Sequence, residues 1–168
     1  NAADENDNTA WFPNRTARAN KGEWIKFQFQ DEQKLETVSI INGWIKNNSV
    51  FRYNSRVKEA TIDFSNGEKV AIHLDDKKTK QIFDLGGITT EWVRITIEDI
   101  YPGEKWNQEA GITDVYFSGS IITSDSKNNN GDSALTFEVD NSFTEEQMRK
   151  EKGLLSRTKV AIKKMKIS

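Results

Sequence analysis

Between Gly43 and Ile62 one connection carries three aromatic rings (Trp44, Phe51, Tyr53), four cations (Lys46, Arg52, Arg56, Lys58) and three amides (Asn47, Asn48, Asn54). A second turn, Ile100 to Asn107, adds Lys105 and Trp106. Such a set is suited to binding. A sugar lays its apolar face on a ring while its hydroxyls meet a few fixed donors and acceptors. Trp44, Tyr53 and Trp106 are the candidate platforms. Lys46, Asn47, Arg52, Asn54, Arg56 and Lys105 are the candidate polar fork. A guanidinium at Arg52 or Arg56 suits an anionic sugar such as a sialic acid, through a bidentate contact to its carboxylate. The competing reading is structural: Tyr53 under a sheet edge, Asn54 holding a turn, Arg56 paired with Glu59 or Asp63, and loop rings covering the end of a barrel.

The N-terminal stretch AADENDNTAWFPN offers a second chemistry. Asp4, Asn6 and Thr9 present carboxylate, amide and hydroxyl oxygens at close spacing. Hard oxygen donors completed by backbone carbonyls are what Ca²⁺ takes. The alternative is an Asx-rich turn that caps its own backbone. Trp11 behind it is expected to pack in the core.

Catalytic sets are poorly supplied. There is one histidine, His73, placed by alternation on an outward strand face, and there is no cysteine. Nucleophile–base arrangements around Cys are excluded, and Ser–His chemistry is confined to one residue. Adjacent acidic pairs (Asp31-Glu32, Asp75-Asp76, Glu98-Asp99) lie in polar stretches, and no feature selects one as a glycosidase dyad. No phosphate loop or dinucleotide fingerprint occurs. The chain is read as a non-enzyme.

Bulk charge agrees with a binding module of neutral character. Net charge is −2, so no global field draws the chain to nucleic acid or to an anionic membrane. No apolar run approaches the ~20 residues that span a bilayer. The chain does not begin with Met, and the expectation is a fragment, or a mature form trimmed of its leader.

The elements that must hold these loops are strands. In EWIKFQFQ, Ile25, Phe27 and Phe29 face one way while Lys26, Gln28 and Gln30 face the other. LETVSIIN suits a central strand. KEATIDFS places Ala60, Ile62 and Phe64 on one face, Asn66-Gly67 signals a hairpin, and EKVAIHL returns with Val70, Ile72 and Leu74 inward. KQIFDL, EWVRITIEDI and GITDVYFSGSII follow as further strands. Many strands with little helical periodicity predict an all-β sandwich or barrel. The composition turns polar at Thr123 to Ser133, which reads as a linker. Beyond it, residues 134–168 are expected to form an extension with a strand, a short helix capped by Thr144 and Gln147, and a basic tail.

Several of these motifs occur together in a known order. DENDNTAWF, GEWIKFQF, the run from IINGW to HLDD, and VRITIEDIYPGEKWNQEAGITDVYFSG together resemble the discoidin-like, F5/8 type C or galactose-binding-like module. They are most similar to the variety that serves as the glycan-binding domain of bacterial NAD glycohydrolase-type proteins. The resemblance spans residues 1–122, which are taken as the domain. It implies an eight-stranded antiparallel jelly-roll β-sandwich, two sheets face to face, with ligand loops at one end. It also implies a structural calcium held by Asp4, Asn6 and Thr9 and completed by Asp114. Two departures stand out: Asp114 replaces a more usual Glu, and Glu5 replaces a usual Gly. The strand that normally precedes this turn is missing, and VAIKKMKIS is a candidate to fill its place. The functional expectation is a non-catalytic extracellular module that targets a glycan or glycoconjugate. The alternative is a protein-interaction or assembly scaffold without sugar binding, with the C-terminal extension docking a protein partner.

Overall fold

The computed structural model describes residues 2–13 and 21–122, with two short strands beyond them. The elements in order are β1 (Trp24–Asn42), α1 (Asn48–Tyr53), β2 (Asn54–Phe64), β3 (Lys69–His73), β4 (Gln81–Tyr101), β5 (Trp106–Ile121), β6 (Leu135–Thr136) and β7 (Val160–Ile162). The expected linker, the capped helix and the rest of the extension lie outside the described residues, as does the N-terminal segment 14–20.

The strands form one seven-stranded sheet in the order β3-β2-β4-β1-β5-β6, with β7 beside β1. The sheet folds over on itself to make the sandwich. Alternation is the cause: Ile25, Phe27, Phe29, Ile62, Phe64, Val93, Ile95, Ile97, Val115 and Phe117 all point inward and are buried. Phe117 meets both Phe27 and Phe29 edge to face, at 5.2 and 5.5 Å between centroids, and joins β1 to β5 across the core.

Two pairs of expected strands are single long strands. EWIKFQFQ and LETVSIIN are the halves of β1, which runs through the polar segment Asp31–Lys34 with a register shift against β4 between Gln28 and Gln33. The alternation lapses there, with Gln30, Asp31 and Glu32 all exposed, and resumes with Gln33 and Leu35 buried on either side of the exposed Lys34. KQIFDL and EWVRITIEDI are likewise halves of β4. Gly86 and Gly87, both at positive φ, sit in a bulge opposite Glu36 instead of ending the strand. The seven runs read from the sequence between residues 23 and 122 are thus five strands, and β6 and β7 bring the strands among the described residues to seven. The pairing is also not wholly antiparallel. The start of β5 meets the start of β2 in parallel, Asn54 opposite Trp106 and Arg56 opposite Gly111. That contact closes one end of the sandwich. β7 pairs in parallel with Lys26–Gln28 of β1.

Candidate functional site

The closed end gathers the loops singled out by the sequence. β1 finishes there in Asn42 and Gly43. The Asn42 side chain is fully buried and works as a backbone surrogate: its Nδ2 donates to Val57 O at 2.7 Å and its Oδ1 accepts from Val57 N at 2.9 Å. Gly43 follows at φ +74, and a Cβ there would lie 2.6 Å from Arg56 Cγ and 2.9 Å from the Phe51 ring. Only glycine fits.

The chain then forms α1, a short helix missed by periodicity because six residues carry too little of it. Its caps are two residues expected to touch ligand. Asn47 is the N-cap, and its Oδ1 accepts from Val50 N at 2.9 Å. Asn54 ends the helix, is buried, and donates from Nδ2 to Val50 O at 2.8 Å. Both amides serve the fold locally.

Arg56 is the larger correction. Its side chain is 10% exposed, and Nε and Nη2 donate to the two carboxylate oxygens of Asp76 at 2.8 and 2.6 Å. Nη1 donates to Asn54 O at 2.8 Å and to Pro102 O at 3.4 Å. The guanidinium also stacks over Phe51 at 5.2 Å. The partner is therefore neither Glu59 nor Asp63. Arg56 ties the 75–80 loop to α1 and to the 102–106 turn, and its donors are spent on that.

Arg52, Tyr53, Lys105 and Trp106 are brought together. The end of α1 and the 102–106 turn lie side by side, stitched by Glu104 N to Arg52 O at 3.0 Å and Lys105 N to Tyr53 O at 3.2 Å. Ser55 Oγ adds a bond to Trp106 O and accepts one from Gly103 N. Gly103 is packed so tightly that a Cβ would collide with the backbone of Tyr53, Asn54 and Trp106. On this frame Tyr53 and Trp106 stand edge to face, with centroids 6.1 Å apart. Lys105 Nζ lies 4.2 Å over the Tyr53 ring. Trp106 is 54% exposed. Arg52 is 62% exposed, and among the described residues its ion pair is a 3.8 Å contact with Glu104.

Trp44 and Lys46 form a separate patch. Trp44 is half-buried, donates from Nε1 to Asn8 O at 3.0 Å and meets Phe12 edge to face at 6.0 Å. Lys46 Nζ lies 5.9 Å from the Trp44 ring. Trp44 thus fastens the N-terminal turn to the loop. Asn8 and Phe12, the partners it uses, carried no sequence signal.

Asp4, Thr9 and Asp114 lie together, and Asn6 joins them through its backbone, since its side-chain oxygen accepts from Asn8 N at 3.0 Å and Asn8 Nδ2 at 3.1 Å. Asp114 is fully buried, and its Oδ1 accepts from the backbone N–H of Asp4 at 3.1 Å and of Glu5 at 3.2 Å. Its Oδ2 is buried without a hydrogen-bond partner. Burial pushes the Asp114 carboxyl up, against the pull of the two N–H donors, and the charge of Asp4 adds to the rise. Tyr116 is pushed up to about 12 by burial and by the Asp114 charge. Thr9 Oγ1 donates to the Asp4 carboxylate at 2.7 and 2.9 Å, and Thr9 N donates to Asn6 O. Glu5 sits at φ +52, the conformation that glycine takes without strain. Trp11 packs beneath, 3% exposed. The donor set is entirely oxygen and includes a buried, unpartnered carboxylate oxygen, which fits a hard cation. Among the described residues no three His, Cys, Asp or Glu side chains cluster to hold a metal. An ion here would draw on amide, hydroxyl and carbonyl oxygens as well.

His73 faces outward, with Nδ1 at 2.6 Å from Glu59 Oε1. Trp24 and Trp92 lie half-buried on the sheet surface, each beneath a cation, Arg94 and Lys26 respectively.

A family profile, the NAD glycohydrolase translocation F5/8 type C domain, matches residues 1–118. No curated protein sequence matches the chain. Among solved structures, the family 32 carbohydrate-binding module of C. perfringens NanJ, in complex with galactose, aligns at TM-score 0.51 and 16% identity, over 67% of this chain and 77% of that one. A fragment assigned as a chitobiase from Bacteroides thetaiotaomicron aligns at 0.56 and 17%, over 71% and 74%. A mycobacterial arabinofuranosyltransferase aligns at 0.55 and 17% over 71% of this chain, which spans only 9% of that protein. At these identities the likeness is one of fold.

Proposed function

We propose, from the premise that this chain belongs to the NAD glycohydrolase translocation F5/8 type C family, that it is a non-catalytic glycan-targeting module. Its ligand rests on Trp106 and Tyr53. One observation carries the reading: a tryptophan 54% exposed, on a turn that a packed glycine and four hydrogen bonds hold in place. An unsupported loop ring folds back onto apolar surface. One held out on a rigid frame is suited to stack on a ligand. In the extracellular role expected of it, the module concentrates an attached protein at a cell surface. Individual contacts of this size are weak, and multivalency adds avidity.

Calcium at Asp4, Asn6, Thr9 and Asp114 belongs to the same proposal as a structural ion. Its role is indirect. Trp44 bonds Asn8 within the same turn, so ordering of the turn passes to the loop that precedes α1. With two carboxylates, affinity falls in the weak range of extracellular modules, about 10⁻⁴ to 10⁻³ M.

The test is a glycan array with purified protein and with Trp106→Ala, each with calcium and with chelator. A specific hit lost in the variant supports the reading. A broad array with no hit removes it and leaves the assembly-scaffold role, and a hit that survives Trp106→Ala places the ligand away from this platform.

A further inference from the structure

We infer that the ligand of the Tyr53–Trp106 platform is an acidic saccharide, one bearing a carboxylate or a sulfate. This rests on the glycan-binding reading and adds the charge of the ligand.

The two arginines of the loop are used in different ways. Arg56 has its charge met by Asp76 and a further donor on Asn54 O. Arg52, four residues earlier, is 62% exposed, and its ion-pair partner among the described residues is Glu104 at 3.8 Å. That carboxylate is itself 57% exposed, and such a pair holds its partner weakly. The guanidinium fork of Arg52 is therefore available to an oxyanion. Lys105 supplies a second cation. Its ammonium lies over Tyr53, the ring that meets Trp106, and forms no ion pair among the described residues, so it is held at the edge of the platform by a ring face. Lys78 adds a third charge at the start of α1, with Nζ 2.8 Å from Asn48 Oδ1 and 6.0 Å over Phe51.

Position completes the case. Arg52 and Tyr53 are adjacent on one segment, Glu104, Lys105 and Trp106 on the other, and the two segments are bonded backbone to backbone. A sugar stacked on Trp106 thus has a cation on each flanking segment. A neutral sugar takes only ordinary hydroxyl hydrogen bonds from two such cations. For an anionic group they supply charge-assisted bonds. Glu104 is an opposing charge beside Arg52, and it gives the idea a sign: its removal should help an acidic ligand.

The experiment uses the full chain and an array carrying each glycan in four matched forms: carboxylate, methyl ester of that carboxylate, sulfate and neutral parent. Hits are titrated at low and physiological salt. The acidic form should bind at least about tenfold more tightly than its ester, the worth of one charge-assisted bond. Carboxylate and sulfate arms separate the two sources of the charge. Arg52→Gln and Lys105→Gln should each narrow the preference, and Glu104→Gln should widen it. All three side chains are exposed, and far-UV circular dichroism checks folding. Ester and acid binding alike, or a preference indifferent to Arg52→Gln, would overturn the inference while leaving the glycan module standing. Equal capture of DNA, lost with salt, would also overturn it, as bare charge attraction. Absence of binding to every form would remove the glycan reading beneath it as well.

Discussion

Asp76→Asn tests whether Arg56 is a strut or a ligand contact. The substitution changes one atom, yet it leaves a guanidinium that is 90% buried without a counter-charge. Breaking a buried pair from one side costs about 3–5 kcal/mol. Here Asp76 is 37% exposed, and the carbonyls of Asn54 and Pro102 remain as acceptors, so the lower part of the scale applies. We expect about 2–3 kcal/mol. Arg56→Met is the larger chemical change and should cost less, about 1–2 kcal/mol, because the stem still covers Phe51 while Asp76 turns into water. The double variant should resemble Arg56→Met alone, since the stranded charge is gone. Urea unfolding followed by tryptophan emission, in chelator, reads all four proteins. An Asp76→Asn cost under about 0.5 kcal/mol, or one below that of Arg56→Met, would refute the reasoning. Arg52→Gln should leave the unfolding midpoint where it is, which separates the strut from the contact residue.

Gly103→Ala should lose about 1–3 kcal/mol and shift Trp106 emission, because the new methyl meets backbone that cannot yield; unchanged melting with unchanged emission would sink the rigid-platform idea. Asp63 is 8% exposed between Lys69 and Arg94, and although burial works to raise its carboxyl, hydrogen bonds from Lys69 and Arg94 hold it below its ordinary value of 3.8. A lowered folded pKa gives stability that is present above 3.8 and is lost as pH falls through the folded value, so Asp63→Asn should flatten the acid limb of the unfolding curve. Asp114 has the opposite sign: burial raises it, so its stabilising contribution is present below the unfolded value and is lost as pH rises through the folded one. In chelator at neutral pH Asp114→Asn should therefore melt no lower than wild type, and in millimolar calcium the order should reverse; equal calcium shifts in both proteins would take Asp114 out of the metal site.

What the sequence made legible were the features that alternation and local chemistry encode. The inward faces of β1, β2, β4 and β5 read directly from residues such as Ile25, Ile62, Val93 and Val115. So did the outward His73 and the buried Trp11. The strand count was not legible. A polar run such as Asp31–Lys34 carries the composition of a turn, and only the pairing of both flanks with β4 shows that the strand continues. Gly86 and Gly87 likewise signal a break, while in the sheet they make a bulge. The use of each loop residue was least legible, because it depends on partners far along the chain. Arg56 finds Asp76, 20 positions away, across the end of the sandwich. Trp44 finds Asn8, 36 positions away. No spacing rule reaches those pairs.

The outcome for the polar loop residues has a physical order to it. A loop rich in cations, amides and rings must first satisfy its own backbone, since buried donors and acceptors left alone cost more than any surface contact returns. Asn47 and Asn54 close the ends of α1, and Arg56 crosses to Asp76. Those internal bonds fix the line of α1 and the 102–106 turn. They leave Arg52, Lys105 and Trp106 outward, on a frame too tight to rearrange around Gly103. The residues that hold and the residues offered to a ligand are thus complementary parts of one set. Removing a holder should disturb stability and binding together, and removing one of the outward residues should disturb binding alone.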